Sequence, residues 1–132
     1  MKLQKKNMNF SFSDTKISEN KHYFNLDVYI FKENDIIIAY CPSLDLSACA
    51  EAYNDIMSAF YEKLQIYLEY AIENDTLKDD LLQLGWKIKN NIQPPKFNTL
   101  LKNHQFNKLV NSSIDFERLI FPVLLNVTTS IL

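Results

Sequence analysis

The stretch FNLDVYIFKENDIIIAYCPSLDLSACA, residues 24–50, decides the fold. Phe24, Leu26, Val28 and Ile30 alternate with Asn25, Asp27, Tyr29 and Phe31. Successive strand side chains point to opposite faces, so this period of two predicts a strand with the first set on a core. Lys32-Glu33-Asn34-Asp35 is polar and ends in two residues that tolerate unusual backbone angles, which predicts a turn. Residues 36–41 are a largely β-branched apolar run and complete a hairpin. Pro42-Ser43-Leu44-Asp45 interrupts that run, because proline brings no amide hydrogen to a ladder. Residues 46–50 are short and read as a third strand.

Beyond this unit, Asn54 and Asp55 can cap a helix by accepting its free amides. Ile56, Ala59, Phe60, Leu64, Tyr67, Leu68 and Ala71 recur at intervals of three and four, so one helical stripe faces the sheet. Asn74-Asp75 ends it. Thr76 with Asp79 resembles a capping box for a second helix lined by Leu77, Leu81 and Leu84. Gly85, the single glycine, follows where a left-handed helix terminus favours a residue without Cβ, and Trp86 can pack back on that end. Residues 86–89 can start a further strand, and Pro94-Pro95 breaks regular structure. Phe97, Leu100, Leu101, Phe106, Leu109 and Val110 suggest one or two short helices. Residues 119–127 read as a strand, placed at a sheet edge because it holds Pro122. Residues 8–17 alternate weakly, with Phe10 and Phe12 on one side, and read as another edge strand; residues 128–132 read as a frayed end.

These elements predict one small α+β domain with a mainly antiparallel sheet and helices on one face. The expected divisions are an N-terminal edge segment over 1–20, an α+β core over 21–90, and a C-terminal extension over 91–132 packed on that core. A chain of 132 residues with 47% hydrophobic and 23% charged residues can build such a core without disulfide or metal. A net charge of −2 argues against a broad nucleic-acid-binding face, and Lys2, Lys5 and Lys6 read as a solubilising terminus. No apolar run approaches the roughly 20 residues needed to cross a bilayer, and no signal peptide is visible, so a cytoplasmic location is expected. One glycine excludes glycine-rich phosphate loops and dinucleotide fingerprints. Cys41 and Cys49 fit no metal pattern and read as buried thiols.

Few residues suggest bond-breaking chemistry. His22 and His104 stand apart from any Ser or Cys with triad logic and read as surface histidines. The order strand, strand, strand, helix matches the core of ribonuclease H-type nucleases, which gather carboxylates around metal ions. Asp27, Asp45 and Glu51 are the available carboxylates, with Asp27 opposite the apolar stripe and no convincing fourth partner. The aromatics Tyr23, Tyr29, Phe31 and Tyr40 crowd the sheet. They can stack bases, form a protein interface, or complete a two-sided core under the C-terminal segment. The lack of interleaved Arg and Lys favours the protein interface over base stacking.

Residues Val28 to Leu84 resemble the HicB-like antitoxin domain, in the variant common in Bacteroidetes. The features that carry the resemblance are the hairpin ending in Cys41-Pro42-Ser43-Leu44-Asp45-Leu46-Ser47, the short strand after it, and the helix from Asn54. The second helix, from Thr76-Leu77 through Leu84-Gly85-Trp86, also fits. The resemblance implies a reduced ribonuclease H-like βββα core without nuclease activity. It implies a non-enzymatic antitoxin that binds and neutralises a small basic HicA-type ribonuclease toxin, often as a homo-oligomer, with no cofactor. Pro42, Asp45 and Tyr40, with the adjacent strand edge, are the expected toxin contacts. Ala50-Glu51-Ala52-Tyr53 replaces the glycine-containing turn usual before the helix. The C-terminal third shows no helix-turn-helix or ribbon-helix-helix pattern, and its few basic residues, chiefly Lys108 and Arg118, do not support DNA binding. A metal-dependent nuclease and an orphan oligomerisation domain are the competing readings.

Overall fold

The computed structural model of the protein describes residues 8–12, 20–89 and 91–127. The basic trio Lys2, Lys5 and Lys6, residues 13–17 of the expected first strand, and the expected frayed end lie outside the described residues. In chain order the elements are β1 (Met8–Phe12), β2 (Asn20–Glu33), β3 (Ile36–Cys41) and β4 (Leu46–Ala50). A single 3-10 turn, Tyr53–Asp55, leads into α1 (Ile56–Glu73), followed by α2 (Leu77–Gln83). The two-residue strands β5 (Lys87–Ile88) and β6 (Ile92–Gln93) pair with each other. Then come α3 (Phe97–Leu100), α4 (His104–Val110) and β7 (Phe116–Val127).

The hairpin forms as its sequence predicts. Asn34 and Asp35 join β2 to β3 with φ of 50° and 65°. Positive φ at both central residues matches the right-handed twist of the strands, and Asn and Asp tolerate it. β3 then pairs with β4 from Cys41–Leu46 to Ile37–Ala50.

The main sheet is curled and mixed, in the order β1-β7-β2-β3-β4. β2 pairs antiparallel with both β3 and β7, and β1 joins β7 in parallel. β7 is therefore an interior strand where β1 flanks it, and not the edge strand that Pro122 suggests. Among the described residues, pairing with β1 begins at Val123, and at Pro122 the strand neighbour is Asn25 of β2. The missing amide hydrogen thus falls just before the described pairing with β1 begins. The C-terminal segment is also more than an extension laid on a finished core. Leu119, Phe121, Val123 and Leu125 are buried in the same cluster as Leu26, Val28 and Ile30.

One face of the sheet carries that cluster, covered by α1 through Ile56, Phe60, Leu64, Leu68 and Ala71 and by α2 through Leu77 and Leu81. This is the stripe the helical spacing predicts. Helices do not keep to this face alone. Tyr29 and Tyr40, on the opposite face, are buried with Leu100, Phe106 and Leu109 of α3 and α4. The physical reason is in β2 and β3 themselves: aromatic side chains on the second face also need removal from water. The rings of Tyr29 and Phe106 meet edge to face at 5.0 Å. Of the readings of these aromatics, the two-sided core holds for Tyr29 and Tyr40, whereas Tyr23 is 68% exposed.

Several local expectations change in detail. Neither Asp55 nor Thr76 makes a side-chain cap bond to its helix. Thr76 Oγ1 instead donates to the Ala71 carbonyl at the end of α1. Asn103, in contrast, accepts from the Phe106 amide at 3.1 Å and caps α4. Cys41 is buried as expected, but Cys49 is exposed on β4. His22 lies inside β2 and is buried, not at the surface. No helix among the described residues is long and apolar enough to cross a membrane.

Gly85 takes φ of 96° after α2, and a Cβ there would stand 3.2 Å from Thr99 Cγ2. Both the left-handed backbone and the close neighbour penalise a side chain. Gly85→Ala is expected to lower stability by about 1–2 kcal/mol, read as a lower urea midpoint at unchanged slope.

Candidate functional site

The residues singled out around the β3–β4 turn are brought together, although not as a row of exposed contacts. Tyr40 is 6% exposed and Pro42 is buried, while Asp45 is exposed with φ of 49°. The Tyr40 hydroxyl donates to Asp45 Oδ1 at 2.9 Å. Burial, followed by the neighbouring Asp45 carboxylate, raises the Tyr40 phenol above its ordinary range. Tyr40 is thus held neutral, as a donor that fixes the turn from the α4 side of the sheet.

A second anchor grips the same turn from the α1 side. The Trp86 indole Nε1 donates to the Ser43 carbonyl at 2.7 Å. Trp86 is buried and meets Phe24 edge to face at 5.2 Å. Trp86 reaches this position because Gly85 turns the chain back after α2, so that the Trp86 amide also bonds the Leu81 carbonyl at 3.0 Å. Cys41 Sγ lies 3.4 Å from Ser43 Oγ, and burial pushes the Cys41 thiol up to about 11, which keeps it protonated and unreactive at neutral pH. A buried hydrogen bond of this kind contributes on the order of 1 kcal/mol, and leaving its donor unpaired costs more.

Next to the turn, a cleft of about 320 Å³ opens between α4 and the sheet. Its apolar surface comes from Phe31, Ile38, Tyr40 and Leu109, with Ile114 at the approach to β7. Glu33, Ser47, Gln105 and Lys108 supply polar groups. Among the described residues β4 is the last strand on this side of the sheet, and Ser47 brings the cleft to that edge. A smaller notch of about 280 Å³ lies by Lys32, Tyr53, Asp115 and Glu117. There the Tyr53 hydroxyl lies 2.9 and 3.0 Å from the two Glu117 carboxylate oxygens.

The three carboxylates weighed for metal chemistry occupy separate places. Asp27 forms an ion pair with Arg118 at 2.9 Å on the α4 side of the sheet. Asp45 accepts from Tyr40, and Glu51 is exposed just after β4. Among the described residues, no three His, Cys, Asp or Glu side chains are grouped to hold a metal ion. His104 is exposed at the first turn of α4. Sequence reasoning missed the cleft, because α4 and β4 are far apart in the chain and nothing local records that they adjoin. The Asn103 cap was a readable signal for the helix that forms the cleft wall. No known protein family, curated protein or solved structure matches the chain.

His22 has a different use for its environment. It is 7% exposed, and its Nε2 is buried without a hydrogen-bond partner among the described residues. Burial lowers its pKa below 6.5, since a charged imidazole would lose hydration there. The unfolded chain therefore binds a proton more readily than the folded one as pH falls through about 6.5. Stability is expected to decline below that pH and to level off once the lower folded-state pKa is passed. Urea midpoints at about pH 7.5 and about pH 5.5 should differ less in His22→Leu than in the parent. An equal difference in both proteins would place the proton uptake on another group.

Proposed function

We propose that this protein is a non-catalytic protein-binding module of the HicB-like kind, which binds and neutralises a small basic HicA-type ribonuclease toxin. The observation that carries this reading is the β4 edge: a sheet edge with no strand paired to its outer side among the described residues, bordered by a partly apolar cleft and preceded by a turn anchored from two sides. Stable anchoring suits recognition, because a surface that is already ordered loses little conformational freedom on binding. The resemblance over residues Val28 to Leu84 supplies the family. The succession β2, β3, β4, α1 is compatible with a reduced ribonuclease H-like core.

Asp45 supplies an exposed negative charge in this region, and Glu51 and Glu33 supply others. A toxin that handles RNA presents positive charge, and complementary charge accelerates encounter and selects the partner. Tyr40 acts on this surface by holding Asp45 and by lining the cleft, and Pro42 by shaping the turn. The separated carboxylates support a binding role over metal-assisted cleavage. The scarcity of basic residues over 103–127 supports protein recognition over operator binding.

Co-expression with the small basic product of an adjacent reading frame tests the proposal. The expected result is a stable co-purifying complex and relief of that product's growth arrest. A toxin that stays free and lethal would sink the proposal. Divalent-metal-dependent RNA cleavage by this chain, lost on Asp27→Asn or Asp45→Asn, would establish the nuclease reading instead.

A further inference from the structure

We infer that β4 recognises its partner by strand addition, accepting an extended segment with basic residues at its ends and a large apolar side chain directed at the α4 cleft. This inference rests on the protein-binding reading and specifies its chemistry.

A terminal strand presents a row of backbone donors and acceptors, and proteins commonly protect such edges with lysine or proline. β4 has neither: its sequence is Leu46-Ser47-Ala48-Cys49-Ala50. Four of these five side chains are small, so an added strand meets little steric resistance. Ser47 and Cys49 are exposed and pair with Tyr40 and Ile38, both of which line the cleft. Alternate residues of an added strand would lie beside Ser47 and Cys49 on that face. A leucine or phenylalanine there can lean across Ser47 onto Ile38, Tyr40 and Leu109. Backbone pairing would provide affinity, and the cleft would select the side chain.

The charges identify the partner further. Asp45 and Glu51 flank β4 at its two ends, and both are exposed. An antiparallel pairing of two β4 strands centred on Ala48 would set Asp45 opposite Glu51 of the second copy. Like charges directly opposite one another disfavour that pairing. The same two carboxylates favour a strand with arginine or lysine at both ends. Self-association is therefore discouraged at an edge that holds no lysine or proline of its own, and a basic partner is selected.

A fluorescent peptide of about seven residues, with arginine at each end and leucine alternating with threonine between, tests this by polarisation. The peptide is expected to bind. Methylation of the backbone amides at one alternating set of positions should weaken binding about tenfold or more, and at the other set by less than about threefold. Glu51→Lys should weaken this peptide and tighten its glutamate-ended counterpart, each several-fold. The same variant should also move sedimentation toward a dimer, because the introduced lysine of one copy would then face Asp45 of the other. Equal binding of both methylated peptides, or no binding, overturns strand addition. A co-expressed partner that tolerates Glu51→Lys and resists displacement by the peptide overturns it as well, while leaving the protein-binding reading intact. Failure of the unaltered chain to capture its co-expressed partner is the separate failure of that reading.

Discussion

The ladder between β2 and β7 joins residues far apart in the chain, from Asn20 beside Val127 to Phe31 beside Phe116. It creates both faces of the sheet at once. On one side Leu26, Val28 and Ile30 join Leu119, Phe121, Val123 and Leu125 beneath α1. Each such side chain contributes roughly 1.5–3 kcal/mol when removed from water. On the other side Asp27 meets Arg118, and Tyr29 meets Phe116 with ring centroids 5.5 Å apart. Without β7, β2 would be an open edge and α1 would cover half a core. The register also places α4, because the short connection from Val110 to Phe116 returns the chain to the sheet next to Tyr29.

Among the described residues that arrangement leaves β4 as the opposite boundary of the sheet, and the turn before it is held from both sides. Tyr40 reaches it from one face and Trp86 from the other. The two anchors connect the turn to different cores, so a disturbance in either would move Asp45 and the start of β4. Gly85 belongs to the same mechanism, although it lies more than forty residues away in the chain, since its backbone angle aims Trp86 at Ser43. A recognition edge built this way can offer fixed backbone groups to a partner without first having to order them.

The hairpin was legible because its signals are local. Alternation from Phe24 to Phe31 specifies the faces, and Asn34-Asp35 tolerates the backbone that a two-residue turn demands. The stripe from Ile56 to Ala71 and the terminus at Gly85 were legible for the same reason: each depends on spacing or on one residue's steric freedom. The position of Pro122 misled, because an absent amide hydrogen constrains one residue of the strand and says nothing of β1, which pairs from Val123 onward. His22 misled because it pairs across the sheet with Leu125, more than a hundred residues away, and a polar residue at the start of an alternating run carries no mark of that.

By itself the sequence determined an α+β chain, the course of its hairpin, the helix that backs it, and the residues Tyr40, Pro42 and Asp45 at one turn. These follow from periodicity and backbone chemistry within short windows. Tertiary structure alone decided that helices cover both faces, that the C-terminal strand lies between β1 and β2 instead of at an edge, and that β4 borders a cleft. It also decided that Tyr40 would hold Asp45 instead of facing solvent. Those outcomes depend on which distant apolar surfaces are removed from water together, and burial of that kind is a property of the assembled chain.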